Sequence, residues 1–193
     1  MKRRDFLRVT LVGGAAAAVA PLDLWGKGTG KSGFTLWQLP SQVDTIGNSF
    51  VFLTDKGRVK INKVYHSRFS DSLLACEAPY QQYALDYYEA LDKSGIEVAN
   101  QTEPGLTGQI DGLNFKILGV TNEEFRTNPY NNSSMIIRVW DKAKSLVFLG
   151  DAGVECGNKA LNGPYRKDLD CDYLQMAHHG QQGCDENFYK TID

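Results

Sequence analysis

Two short segments end an apolar run with side chains that can bind a metal ion. The run LVFLGD at residues 146–151 ends in Asp151, and YLQMAHHG at residues 173–180 carries His178 and His179 before a glycine. Ligand sites commonly lie where buried strands end at the rim of a sheet. Carboxylate and imidazole groups are ligands of Zn²⁺, and a bound metal can activate water as a nucleophile. If these are two strands whose ends meet, the sequence predicts a zinc site with hydrolytic chemistry.

Each of these features also has a simpler structural interpretation. A Gly-Asp pair after a strand is most often a turn, and a His-His pair is often structural. Asp168, Asp170 and Asp172 alternate along the approach to a strand and could bind a cation, although a solvated strand start explains them better. Glu155 and Asp185 lie near the two segments in sequence and could assist a proton transfer.

The elements that must position these residues follow a mixed pattern of strands and helices. Apolar residues at spacings of three and four, broken only by Pro79, predict a helix over residues 71–93 that ends at Ser94-Gly95, with four tyrosines on a half-buried face. The hairpin signals are an Asp-Gly turn at residues 111–112 and a polar turn at 141–144. The order predicts an α/β fold. The predicted strands are residues 34–39, 49–54, 58–66, 96–99, two within 108–120, 134–140, 145–149 and 173–177, and further helices fall within 152–169 and 186–192.

The composition limits the classes of function that the chain can have. The 193 residues fit about one domain, and 42% hydrophobic with 23% charged residues is typical of a globular protein. A net charge of −2 gives no indication of nucleic-acid or anionic-membrane binding. Three histidines exclude a mechanism that needs four or five. Four cysteines, none in a CxxC pair, permit disulfides in an exported protein, but buried free thiols explain them equally well.

The N-terminus has the pattern of an export signal. Residues 1–20 carry Lys2, Arg3 and Arg4 near their start and continue into an apolar run of small residues. This run is shorter than the stretch of about 20 residues that spans a bilayer. The arginine pair followed by DFLR resembles a bacterial twin-arginine signal. We therefore expect a signal peptide over residues 1–20, a Gly/Lys/Ser linker over 21–33, and export to the periplasm or cell envelope of a bacterium.

The second half of the chain resembles a known family of hydrolases. The order is NNSS at residues 131–134, an apolar strand at 135–139, the Gly-Asp strand end at 150–151 and His-His-Gly at 178–180. This order resembles the metallo-β-lactamase-fold hydrolases, in the branch shared with the hydrolase-like domain of competence ComEC proteins. The resemblance implies an αββα sandwich over residues 34–193.

The resemblance also implies roles for particular residues. Asp151 corresponds to the aspartate that bridges two metal ions, and His178 to the histidine on the last metal-binding strand, with His179 as the neighbouring alternative. Ser133 and Ser134 correspond to strand residues below the site. An intact family member holds two zinc ions, with iron or manganese as alternatives. Its metal-bound hydroxide attacks an ester, amide or phosphodiester, so the implied substrate is a small molecule or polymer containing such a bond.

The sequence departs from the family at its main metal motif. The family's HxHxDH signature is absent, and His66 stands alone in VYHSRF. We expect an incomplete domain, with a block missing near Val59 and Lys60 and a shortened C-terminus, and therefore weak or absent metal binding. Two alternatives to a hydrolase follow: a non-catalytic remnant or binding module on the same scaffold, and an unrelated exported α/β binding module in which both motifs are coincidental.

Overall fold

The computed structural model divides the chain into a first unit, Met1–Lys60, and a second unit, Ile61–Asp193. It describes residues 34–39 and 49–54 of the first unit, and residues 63–110 and 112–192 of the second. The predicted signal peptide, the linker and the position of the expected missing block, at Val59 and Lys60, lie outside the described residues.

The described part of the first unit is a pair of antiparallel strands. β1 (Phe34–Leu39) pairs with β2 (Ser49–Thr54), with Phe34 opposite Thr54 and Leu39 opposite Ser49. Both strands have the boundaries that their apolar and aromatic residues predict, because such residues favour the pleated conformation.

The second unit begins with a two-stranded parallel sheet joined through helices. β3 (Lys63–His66) pairs in parallel with β4 (Glu97–Asn100). Two helices, α1 (Asp71–Leu74) and α2 (Ala78–Ser94), connect them. Ser70 caps α1 by accepting a hydrogen bond from the Leu73 N–H, and Gly95 ends α2 in the left-handed conformation at φ 66°.

The prediction of one continuous helix over residues 71–93 is wrong at a single turn. Residues Ala75–Glu77 form a 3₁₀ turn, and Pro79 lies in the first turn of α2. Proline has no N–H to donate and is tolerated only at the start of a helix, so the chain breaks before it. The half-buried tyrosine face is also only partly correct. Tyr88 is buried, but Tyr80, Tyr83 and Tyr87 are exposed.

A five-stranded sheet forms the rest of the second unit and confirms the mixed α/β class. Its strands are β5 (Thr107–Ile110), β6 (Leu113–Gly119), β7 (Ile136–Trp140), β8 (Ser145–Phe148) and β9 (Tyr173–Gln175). They lie side by side in sequence order, and every pairing is antiparallel except the last, between β8 and β9, which is parallel. Both predicted hairpins are present as β5–β6 and β7–β8.

Helices around β9 complete the core of this sheet. A short helix α3 (Pro129–Asn132) precedes β7, α4 (Val154–Leu161) lies in the crossover from β8 to β9, and α5 (Glu186–Thr191) follows β9. The crossover is required because parallel neighbours cannot be joined by a tight turn. One buried cluster joins sheet and helices through Ile136, Val147, Leu149, Cys156, Leu169 and Phe188.

All four cysteines carry free thiols in the structure. Burial raises the pKa of the Cys156 and Cys184 thiols to about 12, so both behave as small apolar core groups. Among the described residues, no helix is both long enough and apolar enough to cross a membrane.

Candidate functional site

The two metal-competent segments meet at one edge of the sheet. β8 and β9 are parallel neighbours, with Phe148 opposite Gln175, so their carboxyl ends point the same way. Asp151 follows β8 and His179 follows β9, and the two side chains face each other with His179 Nε2 3.5 Å from Asp151 Oδ1. Each side chain keeps about a quarter of its surface exposed, at 27% for Asp151 and 26% for His179. We call this pair with its two turns the rim.

Both turns of the rim use left-handed backbone. Gly150 has φ 58°, and a Cβ there would lie 3.2 Å from the Ser134 side chain, so glycine fits best. After β9, His178 and His179 have φ 49° and 57°, and Gly180 follows at φ 77°. Histidine tolerates this conformation better than most residues, but at a cost in free energy. Such strain is typical of functional sites and turns the two imidazoles in different directions.

The two histidines therefore differ in their surroundings. The His178 ring places Nδ1 3.3 Å from the carbonyl oxygen of Gln182, whereas His179 faces Asp151. If Nδ1 of His178 donates to that carbonyl, its Nε2 keeps a lone pair, as in many metal-bound histidines. Their ring centroids are 6.0 Å apart. The structure thus brings together Asp151 and His179, while His178, the histidine that the resemblance favours as a ligand, lies beside them.

A hydrogen-bond frame fixes the backbone of the rim. The Gln175 side-chain oxygen accepts from the N–H groups of Leu149 and Gly150, both at 2.9 Å. The N–H of His178 donates to the Gly150 carbonyl at 3.0 Å. The N–H of Asp151 donates to Ser134 Oγ at 3.0 Å. No sequence pattern described above predicted a role for Gln175. Its one signal was a polar residue three positions before His178, in a run that otherwise looks buried.

The NNSS segment at residues 131–134 supports this hydrogen-bond frame. Asn132 is buried, and its side-chain oxygen accepts from the Cys156 N–H at 3.3 Å, close to the start of α4. A Cβ at Gly153 would lie 2.4 Å from that oxygen, so only glycine allows this approach. Ser133 Oγ accepts from the Asn122 N–H at 3.2 Å. Ser133 and Ser134 thus bond to backbone, and the motif positions the turn that carries Asp151.

The other polar residues considered as functional make structural contacts. Glu155 accepts from the Asn132 side-chain amide at 3.0 Å, and Asp185 caps α5 by accepting from the Phe188 N–H at 2.9 Å. The three alternating aspartates each form a salt bridge with a lysine or arginine side chain, as expected for a solvated strand start. The pairs are Asp168 with Lys116, Asp170 with Arg166, and Asp172 with Lys144.

His66 lies on β3, apart from the rim elements. Its ring contacts Tyr87 and Tyr88 edge-on, and its buried Nδ1 has no hydrogen-bond partner among the described residues. Burial lowers the pKa of His66, followed by a smaller effect of the Arg68 charge. These surroundings favour the neutral imidazole.

The Asp151–His179 pair has the spacing of two ligands of one metal ion, which is also the spacing of an ordinary Asp–His contact. Two donors at about 2.0–2.2 Å from a tetrahedral ion lie roughly 3.3–3.6 Å apart, which matches the separation of Asp151 Oδ1 and His179 Nε2. Within the described part of the chain, no group of three or more His, Cys, Asp or Glu side chains could hold a metal. The rim therefore offers two donors, where catalytic zinc sites usually have three.

Comparison with known proteins gives no significant match to a family model, to a curated protein or to a solved structure. The geometry of the rim and the resemblance of its motifs therefore carry the functional argument.

Proposed function

We propose that the chain is an exported metal-dependent hydrolase with the αββα scaffold of the metallo-β-lactamase superfamily, acting on an ester, amide or phosphodiester. The observation that carries this proposal is the meeting of Asp151 and His179 at adjacent parallel strand ends, 3.5 Å apart. A twin-arginine-like N-terminus supports export to the periplasm or cell envelope.

Asp151 and His179 would hold a divalent cation, with zinc as the first choice and iron or manganese as alternatives. Asp151 contributes a negative oxygen and His179 a neutral nitrogen, a combination common at hydrolytic zinc sites. His178 is close enough in sequence to serve in place of His179 if its turn rearranges. A bound divalent cation would activate water and polarise the scissile bond.

The partly exposed rim leaves room for substrate. Met176, directly after β9, is 55% exposed and provides an apolar surface next to the two turns. The side chain of Gln175 points back to the backbone, as its hydrogen bonds show. A substrate bound at the rim would therefore meet Asp151, His179 and the Met176 side chain.

A non-catalytic binding module on the same scaffold is the second candidate. It is favoured by the donor set, because the described residues supply two metal donors and no third. Two donors bind a metal more weakly than a full site and leave its geometry poorly fixed. Such a module would bind a metal or a partner at the rim without turnover.

A hydrolysis screen separates the two candidates. The full chain is assayed with Zn²⁺, Mn²⁺ or Fe²⁺ against p-nitrophenyl acetate, a chromogenic β-lactam and bis(p-nitrophenyl) phosphate. The variant Asp151→Ala is compared with Asp86→Ala, a matched carboxylate on the exposed side of α2. The hydrolase proposal predicts metal-dependent turnover that Asp151→Ala abolishes and Asp86→Ala keeps.

The other outcomes are equally informative. Zinc binding without turnover of any substrate supports the binding module and contradicts the hydrolase. Equal turnover by the wild type and Asp151→Ala contradicts the placement of the site at the rim.

A further inference from the structure

We propose that a cavity between β6, β7 and α4 is a binding site for a short, uncharged aliphatic molecule with one oxygen acceptor, such as a four-carbon alcohol. We call it the α4 cavity. None of the residues that line it belongs to the rim, so this inference does not rest on the proposed hydrolase.

The α4 cavity has a volume of about 90 Å³ and an apolar inner wall. Leu118 of β6, Ile136 of β7, Cys156 of α4 and Leu169 form this wall, and each is at most 6% exposed. None of these four side chains carries a charge or a strong hydrogen-bonding group, so a water molecule beside them would lack partners. The inner part of the cavity therefore favours an apolar guest over water.

The volume of the α4 cavity limits the size of the guest. An apolar protein cavity of about 150 Å³ holds one benzene molecule. A volume of about 90 Å³ therefore suits about four non-hydrogen atoms. The part of the guest that lies inside is thus a short alkyl chain rather than an aromatic ring.

The outer wall of the α4 cavity is held in place by its own contacts. The Tyr165 ring lies against Gly105, where a Cβ would come within 2.2 Å of the tyrosine oxygen, and the Lys116 ammonium lies 4.2 Å from the centroid of the same ring. At the end of α4, the N–H of Gly163 donates to the Ala160 carbonyl at 3.2 Å. An empty apolar cavity lowers stability unless its walls can collapse, and these contacts oppose a collapse. The space is therefore built into the fold.

The mouth of the α4 cavity offers a hydrogen-bond donor. Among the described residues that line the cavity, Lys159 alone carries a charge, and its side chain is 51% exposed. Its Nζ donates to Asn122 Oδ1 and to Glu124 Oε1, both at 2.6 Å. An ammonium group has three N–H donors, so the third can donate to an oxygen of the guest.

The charge at the mouth is already balanced. Glu124 forms a salt bridge with Lys159, and the hydrogen bond from Lys159 holds the pKa of that carboxyl below its usual range. A carboxylate guest would have to displace Glu124 or share the ammonium group with it, and two like charges repel each other. An alcohol or ketone needs only a donor. The mouth therefore favours an uncharged oxygen.

The test follows the binding of 1-butanol and of butanoate to the full chain through backbone amide shifts in NMR spectra. The two probes have the same chain length and differ in the charge of the head group. We expect 1-butanol to give saturable shifts at Leu118, Cys156 and Tyr165 and none at Asp151. It should bind about tenfold or more tightly than butanoate, because the carboxylate loses its hydration and meets Glu124.

Three variants test the chain and the head group separately. Ala160→Leu adds bulk inside the cavity, and Ala143→Leu makes the same substitution in an exposed turn. Ala160→Leu should weaken 1-butanol binding by about tenfold or more, because it takes the space of about two methylene groups. Ala143→Leu should leave the affinity within about twofold of wild type. Lys159→Met removes the donor and should weaken binding by about threefold to tenfold, the effect of one hydrogen bond.

Several results would overturn the inference. They are the absence of saturable shifts with 1-butanol, shifts centred on the rim, and butanoate binding as tightly as 1-butanol. Wild-type affinity in Ala160→Leu would contradict the placement of the guest, and wild-type affinity in Lys159→Met would contradict the role of the ammonium group. The comparison of the two probes uses the wild-type protein, so it decides the inference even where Ala160→Leu does not fold.

Discussion

The two ends of the β8–β9 strand pair are held together by different chemistry. At the start, the Asp172 carboxylate binds Ser145 and Lys144, and each charge has its partner. At the rim, the neutral Gln175 amide holds only backbone. The Asp151 carboxylate there lies 3.5 Å from the His179 imidazole and has no lysine or arginine within 4.0 Å among the described residues.

This difference bears on the metal site that we propose at the rim. Ion pairs with lysine neutralise a carboxylate and take its oxygens out of use for a ligand. A neutral clamp fixes the backbone equally well and leaves the nearby carboxylate to bind a cation. The rim also contains the left-handed histidines, whereas none of the residues named at the opposite end has a positive φ. Substitutions at Asp172 can therefore change stability separately from the metal donors Asp151 and His179.

The largest expected effect is on the core that both ends share. Phe188 on α5 is fully buried and lies against the start of α4 near Gly157. Phe188→Ala should lower the free energy of unfolding by about 3–5 kcal/mol, because it removes a buried ring and leaves a cavity. Urea denaturation measures this. Tyr83→Ala, at a side chain 71% exposed, should stay within about 0.5 kcal/mol. Similar values for both variants would contradict the assignment of the core.

A smaller effect concerns strain at the rim. Replacing His178 by glycine relieves a left-handed residue and should raise the free energy of unfolding by about 0.5–1 kcal/mol, since glycine adopts φ 49° without steric cost. Asn128→Gly is the control, because Asn128 has the same φ outside the rim. His178→Ala removes the ring but keeps the strain and should not stabilise. Destabilisation by His178→Gly in thermal unfolding would show that the ring, rather than the backbone, dominates.

The charged end should respond to acid. The hydrogen bond from Lys144 to Asp172, together with bonds from Ser145, holds the pKa of that carboxyl below its usual range. Its contribution to stability is therefore present above the unfolded pKa of about 3.9 and is lost as pH falls through the lower folded value. Asp172→Asn should flatten the stability profile in this acid range. If chemical denaturation between pH 2 and 5 gives the same profile for Asp172→Asn and the wild type, the stabilising role of the Asp172 carboxylate is contradicted.

The smallest expected effect comes from His66. Burial lowers its pKa in the folded protein, so the unfolded chain takes up its proton first as pH falls. The free energy of unfolding should therefore decrease as pH falls from about 6.5 to the folded pKa of His66. Below that pKa, His66 should add no further pH dependence. His66→Gln should remove this slope between pH 5 and 7. A slope that persists in the variant would have to come from another group.

Much of the sheet could be predicted because its signals are local. The apolar run at residues 145–149 and the Asp-Gly pair at 111–112 determine strands and turns from neighbouring residues. The sequence allowed the two strand ends to meet at one edge, and the parallel pairing of β8 with β9 is what brings them there. The helix was predicted to run through Ala75–Glu77, although Pro79 interrupts the apolar spacing, because that spacing resumes after the proline.

The finer arrangement of the site could not be read in this way. Which histidine faces Asp151 depends on the left-handed backbone at His178 and His179, and two adjacent identical residues give no sequence signal for that choice. The role of Gln175 depends on where the ladder ends, at Phe148, and strand boundaries are uncertain by a residue or more in sequence. Both features are tertiary, so sequence patterns do not report them.

The most direct test of the proposed metal site is a zinc titration of the full chain with three single variants, Asp151→Ala, His178→Ala and His179→Ala. A site built on Asp151 and His179 predicts one zinc ion per chain, an affinity reduced by about tenfold or more in Asp151→Ala and His179→Ala, and a change within about threefold in His178→Ala. A loss in His178→Ala with none in His179→Ala, or equal binding by all four proteins, would contradict the claim that Asp151 and His179 form the donor pair.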